Sequence, residues 1–457
     1  MSGMNYSIPR VMIAGTGSGC GKTTVTCAVL KALADRGKRV AAFKCGPDYI
    51  DPMFHSFILG THSTNLDSFF FRKNTLNALL VKNGNGKDIS VIEGVMGFYD
   101  GLGIDSDEAS SHDIAKQTKT PVILVLNAKG SALSLLAGLK GFLQFLPGNR
   151  IEGVILNRCS AMTYPKLAKT IENHFGYRIQ VLGYLPDLPD CAMESRHLGL
   201  VTAQEITDLS EKLEKLSEQA ERSLDLDGIV SLAEKADWID CENIPLPHFH
   251  EKVRIAVARD KAFCFYYHDN LDVLQEMGAE IVPFSPLNDR QLPDDIQGLY
   301  LGGGYPELYA EKLSENSAMR SAVLEALEAG MPCIAECGGF MYLTRKIAGF
   351  PMVGFLPGSC TDTGKLSRFG YIRLKAKSNN MLCCAEEEIP AHEFHYWDCS
   401  ETGKTFTASK VSGKSWDCIY ADDRLYAGFP HFHFYADLNF ARRFYETCLR
   451  FGKEQHA

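Results

Sequence analysis

The sequence predicts an α/β protein made of two open, mostly parallel sheet domains, and three observations favour this fold class. The 457 residues exceed the roughly 100 to 200 residues of an ordinary domain, so we expect two large domains. Short apolar runs alternate with helical stretches in both halves, and strands buried on both faces are typical of parallel sheets. Hydrophobic residues make up 45% of the chain and charged residues 23%, which indicates a globular protein with a sizeable core.

The first domain is predicted from five apolar runs and one well-marked helix. The runs are Val11–Ala14, Val40–Phe43, Ile89–Ile92, Val122–Val125 and Gly153–Leu156. The helix is predicted over Thr23–Arg36, because Gly37 stands where a helix C-terminus prefers glycine. This alternation of strand and helix is the pattern of a parallel sheet covered on both faces.

The second domain begins where the same alternation restarts. A charged helical pattern around Ser210 to Leu232 is followed by a stretch with Pro245, Pro247 and little periodicity. We therefore predict one domain over 1–240, a linker over 241–252 and a second domain over 253–457. The predicted strands of the second domain are Val253–Ala258, Glu280–Val282, Gly298–Leu301 and Cys333–Ala335.

The net charge and the lengths of the apolar runs limit where the protein is expected to be located and what it is expected to bind. The formal net charge is −9, so the chain lacks the basic excess that drives nucleic-acid binding. Met1 to Pro9 has no apolar signal core, and the longest apolar runs, such as Pro121 to Leu126, fall far short of the ~20 residues that span a bilayer. We expect a cytoplasmic protein without nucleic-acid or membrane partners.

A glycine-rich segment, Gly15–Thr23, lies between the first predicted strand and the first predicted helix. Such a turn directs backbone N–H groups at phosphate oxygens, because glycine adopts unusual dihedral angles and leaves room for the ligand. Lys22 adds a charge for the β- and γ-phosphates of a nucleotide, and Thr23 adds a hydroxyl for Mg²⁺. A flexible surface turn is the alternative, which the flanking strand and helix disfavour. The predicted phosphate-binding residues are Gly17, Gly19, Gly21, Lys22 and Thr23.

Acidic residues follow the second and third predicted strands, in Lys44–Pro52 and Glu93–Gly97. The carboxyl ends of parallel strands are where open α/β sheets bind ligands, and Mg²⁺ prefers hard oxygen ligands. These acids could instead cap turns, a reading that is strongest for Asp51. We predict catalytic roles for Asp48, Asp51 and Glu93, and metal coordination by Thr23, Asp48 and Glu93.

The second domain carries a nucleophile turn. Met331–Leu343 reads as a strand, a sharp turn at Cys337 and a helix, the arrangement of a nucleophile elbow. A helix N-terminus favours the thiolate, which is the attacking form of cysteine. Backbone N–H groups of Gly303 and Gly338 are predicted to hold the oxyanion of an acyl intermediate.

The base that this thiol requires has four candidates in the sequence. His431 and His433 alternate within Gly428–Phe434, and His392 and His395 lie close together upstream. Spacing alone does not choose among them, because a single histidine is more often a core residue than a catalyst. A thiol nucleophile on the same chain as a phosphate loop points to ATP-driven amide formation with nitrogen from glutamine.

Together these motifs resemble the cobyrinic acid a,c-diamide synthase family, a dethiobiotin-synthetase-like ATPase domain fused to a class I glutamine amidotransferase domain. The resemblance implies a P-loop NTPase-like N-terminal domain and a flavodoxin-like C-terminal domain. The matching stretches are Gly15–Thr24, Lys44–Pro52, Glu93–Gly101, Gly302–Glu307, Ala335–Leu343 and His392–Tyr396.

The resemblance also implies a reaction. Glutamine would be hydrolysed at Cys337, and its ammonia would pass to the N-terminal domain, where ATP and Mg²⁺ phosphorylate a corrin carboxylate. The a and c acetates of cobyrinic acid would be amidated in turn, and the chain could form a homodimer. The family lacks the usual triad glutamate, whose position His433 takes here, so the resemblance favours His431 as the base.

Two alternatives stay open at this stage. The same chemistry could act on another tetrapyrrole, hydrogenobyrinic acid or a nickel sirohydrochlorin, because the pocket for a large ring is assembled from loops. A different class is a nucleotide switch of the partitioning type that carries a glutamine-sensing module. The presence of Cys337 weighs against the switch.

Overall fold

The computed structural model describes residues 4–191, 195–196, 199–200 and 208–455. The chain divides into two compact units, Met1–Ile244 and Pro245–Ala457. Each unit has its own parallel sheet and its own core, so the α/β class predicted from the sequence is confirmed.

In the described part of the first unit, seven strands form one sheet and every neighbouring pair is parallel. The five predicted runs are its central strands, and they are almost entirely buried, as strands covered on both faces must be. In spatial order the strands are Thr64–Leu66, Val40–Cys45, Ile89–Glu93, Arg10–Gly15, Val122–Asn127, Ile151–Asn157 and Gln180–Leu185.

This strand order sets the position of the first site. Arg10–Gly15, Val40–Cys45 and Ile89–Glu93 are neighbours in the sheet, so the segments that follow them meet at one edge. The helix predicted over Thr23–Arg36 is observed over Lys22–Asp35. The other helices of the unit are Ile50–Leu59, Lys73–Gly84, Ser111–Gln117, Leu133–Phe145, Tyr164–Phe175, Leu209–Ser223 and Leu226–Glu234.

The two ends of the first unit are joined by a short ribbon. Met4–Tyr6 pairs antiparallel with Ile239–Cys241, which reaches the first residue of the stretch predicted as a linker. The low periodicity there reflects a strand of three residues, too short to show a pattern. A second two-stranded ribbon joins Ser195–Arg196 to Gly199–Leu200.

The main sheet of the second unit has six strands in its described residues. Five of them are parallel, and the edge strand Tyr420–Ala421 is antiparallel to its neighbour. In spatial order the strands are Ala279–Phe284, Val253–Ala258, Gly298–Leu301, Cys333–Glu336, Leu425–Gly428 and Tyr420–Ala421. The helices are His268–Met277, Ala310–Glu315, Ser317–Glu328, Gly338–Leu343 and Leu438–Gln455.

Two further sheets of the second unit were not predicted, because their strands are mostly short and lack a clear period. One has the spatial order Ser415–Cys418, Phe406–Ser409, Arg368–Ala376, Glu388–His395 and His431–Phe432. The other has the order Phe350–Pro351, Lys346–Ile347, Ser359–Asp362 and Trp397–Cys399. The first of them places His431 directly opposite His392. None of the described helices has the length and apolar character needed to cross a bilayer.

Candidate functional site

The phosphate loop leaves its strand at Gly15 and enters its helix at Lys22. Gly21 caps this helix with φ 97°, and a Cβ there would lie 1.9 Å from Nδ2 of Asn157. Asn157 donates from the same nitrogen to the carbonyl of Cys20 at 2.8 Å. Glycine is therefore required at position 21, where the loop ends and the helix begins. The hydrogen bond from Asn157 to Cys20 stabilises the loop.

Lys22 lies folded within its own loop. Its ammonium donates to the carbonyl of Gly17 at 3.2 Å and to the carbonyl of Met96. Burial lowers the pKa of Lys22, and the positive charge of Lys44 lowers it further. A bound phosphate would supply the negative charge that opposes both effects.

A buried lysine, Lys44, lies at the centre of the acidic residues. Its ammonium contacts a carboxylate oxygen of Asp51, and it lies 3.2 Å from Oε1 of Glu93. Burial acts to lower the pKa of Lys44, but the charges of Asp51 and Glu93 outweigh it and raise that pKa well above its ordinary value. Lys44 is thus an ion-paired cation inside the site.

Glu93 joins this cluster to the phosphate loop. Its Oε1 accepts from the hydroxyl of Thr23 at 2.7 Å, and its Oε2 lies 2.8 Å from Nε2 of His55. The other ring nitrogen of His55 lies 3.1 Å from Oγ of Ser63. Burial acts to raise the pKa of Glu93, whereas Lys44, His55 and Thr23 lower it, and the net shift is strongly downward. Glu93 is therefore a carboxylate at neutral pH.

The three predicted acids do not have equivalent positions. Both carboxylate oxygens of Asp51 lie 3.5 Å from the hydroxyl of Thr23. Asp48 instead accepts from the backbone N–H groups of Ile50 and Asp51 at 2.8 and 3.2 Å, so it caps the helix that follows. Its second oxygen lies 3.7 Å from the ammonium of Lys44. The structure brings Thr23, Asp51 and Glu93 together and leaves Asp48 at the margin.

These residues fit a magnesium ion that is also held by phosphate. Thr23, Asp51 and Glu93 offer hard oxygen atoms, which are the ligands that Mg²⁺ prefers. In the described residues, no group of three or more His, Cys, Asp and Glu side chains is placed to hold a metal without help. Mg²⁺ ordinarily takes one or two protein carboxylates and completes its coordination shell with phosphate and water.

The turn at Cys337 has the geometry of a nucleophile elbow. The strand Cys333–Glu336 ends directly before Cys337, and the helix Gly338–Leu343 begins directly after it. Cys337 has φ 47° and ψ −101°, a conformation that costs a residue with a side chain about 1 to 3 kcal/mol. Its backbone N–H donates to the carbonyl of Gly428 at 2.7 Å, which fixes the turn against the neighbouring strand.

Glycines allow other segments to approach the elbow closely. A Cβ at Gly338 would lie 2.9 Å from Cδ of Pro306, and one at Gly303 would lie 2.6 Å from Cε1 of His431. The N–H of Gly303, however, already donates to the carbonyl of Phe265 at 3.2 Å. This bond conflicts with the oxyanion role predicted for Gly303, whose contribution is to leave room for His431.

The two histidines of the predicted pair lie in different surroundings. His431 is hydrogen-bonded to Cys337, and its Nδ1 lies 3.3 Å from Oε2 of Glu336. Burial acts to lower the pKa of His431, but these two partners raise it to about 10. His433 lies beside Asp269, with 3.8 Å between Nε2 and Oδ2. The structure therefore brings His431, and not His433, to the thiol.

The other two histidine candidates are buried on the strand Glu388–His395. Burial lowers the pKa of His392 to about 3, and the charge of His431 contributes to the shift. Nδ1 of His395 lies 2.6 Å from the carbonyl of Trp397, and its ring stacks on Phe429 with centroids 3.9 Å apart. These contacts hold the ring of His395, and both His392 and His395 lie close enough to His431 for its charge to lower their pKa.

Sequence reasoning missed four residues of these sites. Lys44 and Glu336 carried a signal, because each is a charged residue within a buried strand and therefore needs a partner. His55 and Asn157 carried none, since a single histidine and a single asparagine have many ordinary uses in a core.

Two domain models match the chain, one in each half. A CobQ/CobB/MinD/ParA nucleotide binding domain matches residues 11–201, and a CobB/CobQ-like glutamine amidotransferase domain matches residues 254–438. The fold and the two sites thus define a class of protein, a glutamine-dependent amidating ligase with a nucleotide-binding half and an amidotransferase half.

Curated relatives narrow this class to one family. Cobyrinate a,c-diamide synthase of Clostridium acetobutylicum is 42% identical over 438 residues, which cover 94% of this chain and 98% of the relative. The protein of the same name from Thermoplasma volcanium is 41% identical over 456 residues, with coverage of 98% and 99%. The chain belongs to the cobyrinate a,c-diamide synthase family, which confirms the resemblance found in the sequence.

Solved structures give more distant similarities. The MinD cell division protein of Aquifex aeolicus matches 51% of this chain and 99% of its own length, with 15% sequence identity and a TM-score of 0.31.

Proposed function

We propose that this protein amidates the a and c acetate carboxylates of cobyrinic acid, with ATP to activate the carboxylate and glutamine to supply the nitrogen. We take the substrate from the name of the relatives, cobyrinate a,c-diamide synthase. The observation that carries the chemistry is the presence on one chain of a thiol elbow bonded to His431 and a phosphate loop beside Glu93. We assign glutamine hydrolysis to 253–457 and amide synthesis to 1–240.

Glutamine hydrolysis begins at the thiol of Cys337, which gives its proton to His431. The sulfur attacks the side-chain amide carbon of glutamine, and the negative charge on oxygen is held by the backbone N–H of Gly338. The C–N bond then breaks, and ammonia leaves with the proton that His431 returns. Water hydrolyses the thioester, which releases glutamate and restores the thiol. The pKa of about 10 for His431 keeps the imidazolium protonated at neutral pH, so that it can give its proton to the departing ammonia.

Amide synthesis requires an activated carboxylate. A carboxylate oxygen of the substrate attacks the γ-phosphorus of ATP, and the bond from that phosphorus to ADP breaks. Ammonia then attacks the acyl carbon, phosphate leaves, and the nitrogen loses a proton. The charge that develops on the phosphates is balanced by Lys22 and by the loop. The loop glycines that we propose for this role are Gly17, Gly19 and Gly21.

The acidic cluster serves the same step. Mg²⁺ would neutralise phosphate charge when bound, and Thr23, Asp51 and Glu93 are the residues that would hold it. Asp51 thus joins Thr23 and Glu93 in place of Asp48 as a proposed ligand. Asp48, which is partly exposed beside Lys44, remains a candidate for contact with substrate. Lys44 and His55 keep Glu93 ionised and oriented.

The test follows nitrogen from glutamine into the product. Purified full-length protein is incubated with ATP, Mg²⁺, cobyrinic acid and glutamine labelled with ¹⁵N in its side-chain amide. The ¹⁵N content of the product is then measured by mass spectrometry. Cys337→Ala should lose incorporation from glutamine and keep incorporation from ammonium chloride. Cys333→Ala, which alters a buried cysteine in the adjacent strand, should behave like the parent. Parent-like use of glutamine by Cys337→Ala would refute the proposal.

A second measurement identifies which tetrapyrrole is the preferred substrate. Cobyrinic acid, hydrogenobyrinic acid and a nickel sirohydrochlorin compete in one reaction, and each amidated product is counted. We expect cobyrinic acid to be consumed first, in line with the name of the relatives. A nucleotide switch would give no amidated product with any of the three.

A further inference from the structure

Glu336 carries a buried carboxyl group beside the base of the thiol elbow. It is the last residue of the strand Cys333–Glu336 and is 1% exposed. Its Oε2 lies 3.3 Å from Nδ1 of His431, while its Oε1 has no hydrogen-bond partner among the described residues. A buried carboxyl group needs a hydrogen-bond partner, and His431 is the partner found for Glu336 among the described residues.

Besides His431, three tyrosines from other segments lie near Glu336. Tyr266 precedes the helix His268–Met277, and Tyr300 and Tyr426 lie on the two strands that flank the Cys333–Glu336 strand. Burial raises the pKa of each of these tyrosines, and the charge of Glu336 raises it further. These hydroxyls therefore stay neutral at physiological pH and do not compete with Glu336 for the role of counterion to His431.

The titratable groups that face His431 from the strand paired with it are His392, Glu393 and His395. Burial lowers the pKa of His395 to about 4, so this ring is neutral at physiological pH. The pKa of His392 is lowered to about 3, chiefly by burial, so it is neutral at physiological pH. Burial raises the pKa of Glu393 to about 7. Glu336 is thus the carboxyl group that hydrogen-bonds Nδ1 of His431.

His433 is committed to other contacts. It stands where the sequence resemblance places the usual triad glutamate, yet its Nδ1 accepts from the N–H of Tyr435 at 3.2 Å. Its ring packs on Tyr267 with centroids 4.8 Å apart, and its Nε2 faces Asp269. The position that ordinarily supplies the orienting acid therefore does not supply one here.

We infer that Glu336 is the positioning residue of the glutaminase site, a triad acid that comes from the residue before the nucleophile instead of from the segment after the base. It holds Nδ1 of His431, so that Nε2 is the nitrogen left to face the thiol of Cys337. It also stabilises the imidazolium that forms when the thiol loses its proton. This inference rests on the proposed function of Cys337 and His431.

The test compares two buried carboxylates, each beside one histidine of the pair. Glu336→Gln removes the charge beside His431 and keeps the size of the side chain, and Asp269→Asn does the same beside His433. Each full-length variant is assayed for amidation of cobyrinic acid with glutamine and with ammonium chloride. The ratio of the two rates is compared, because a general loss of folded protein lowers both rates and cancels.

We expect Glu336→Gln to lower the kcat of glutamine hydrolysis by about 10²- to 10⁴-fold, the range associated with general-base catalysis and its orienting acid. The KM for glutamine should stay near that of the parent. The limb of the pH profile at high pH should move to lower pH, because the imidazolium of His431 loses its counterion. Asp269→Asn should keep the rate ratio and the pH profile of the parent.

Two outcomes would overturn the inference. One is a Glu336→Gln variant with the rate ratio and high-pH limb of the parent, and the other is a loss in Asp269→Asn equal to that in Glu336→Gln. Cys337→Ala in the same assay separates this inference from the proposed function. If Cys337→Ala keeps the rate ratio, the proposed function fails, whereas if only Glu336→Gln keeps it, the role of Glu336 alone fails.

Discussion

Glu93 holds a negative charge in the interior of the first unit, and three neighbours stabilise it. Lys44, His55 and Thr23 all contact its carboxylate, which is fully buried. Removing one member of a buried ion pair leaves the other charge less compensated, at a typical cost of 3 to 5 kcal/mol. Because Lys44 retains Asp51, we expect Glu93→Gln to lower the free energy of unfolding by about 3 kcal/mol.

Urea unfolding of the full-length chain measures this loss. Asp187→Asn is the control, since it breaks an exposed ion pair with Lys129 and should leave the unfolding midpoint near that of the parent. The pKa of Glu93 is lowered on folding, so its contribution is present above its ordinary pKa of 4.5 and is lost as the pH falls below that value. The gap between parent and Glu93→Gln should therefore narrow in acid. A gap that is equal at all pH values would contradict the ionised state of Glu93.

The positions of single residues in the two sites were predictable from the sequence only where a motif fixed them. Lys22 and Thr23 follow from the glycine-rich turn, and Cys337 follows from the strand, turn and helix around it. The contacts of Lys44 and Glu336 were not predictable, because their partners are 49 and 95 residues away along the chain. Those contacts depend on which strands are neighbours in the sheet, and a single sequence does not state that order.

At the scale of elements, the conformation of the elbow predicts measurable backbone strain at Cys337. Cys337 has a positive φ of 47°, which glycine adopts readily and a residue with a Cβ does not. Alanine and glycine both remove the thiol and its bond to His431, so the difference between them isolates the backbone. We expect Cys337→Gly to be more stable than Cys337→Ala by about 1 kcal/mol in urea unfolding.

Cys333 provides the matched control for this comparison. It is a buried cysteine in the same segment, within the regular strand that leads to the elbow. There the order should reverse, and Cys333→Gly should be less stable than Cys333→Ala by about 0.5 to 1 kcal/mol. If glycine were the less stable substitution at both positions, the elbow would carry no backbone strain.

The sequence predicted the central elements of both parallel sheets well. Nine predicted runs match observed strands, because most of these strands are buried on both faces and are therefore apolar along most of their length. The antiparallel sheets of the second unit escaped prediction, since strands such as Lys346–Ile347 and His431–Phe432 have only two residues. Segments this short show no period, and their pairing comes from partners distant in sequence.

At the scale of the whole molecule, two kinds of chemistry occupy two units with separate cores. The phosphate loop and its acids lie in Met1–Ile244, and the thiol elbow with its base lies in Pro245–Ala457. The net charge of −9 gives the chain no general attraction to polyanions, so the carboxylate-rich substrate that we propose would have to be bound by local groups. The sequence motifs identify the reaction more readily than the ring, because none of them is specific to one tetrapyrrole.

Because the phosphate loop and the thiol elbow lie in different units, we expect variants of the two units to lose different activities. Lys22→Gln should lose amidation with either glutamine or ammonium chloride, because both nitrogen sources need the activated carboxylate. Cys337→Ala should lose only the activity with glutamine. Lys31→Gln, which alters another lysine of the same helix that pairs with Asp35, should retain both activities. The measurement is ADP and amide formation with each nitrogen source. Loss of the ammonia-driven reaction in Cys337→Ala would show that the two chemistries are not divided between the units, because the thiol would then be needed for a step that uses no glutamine.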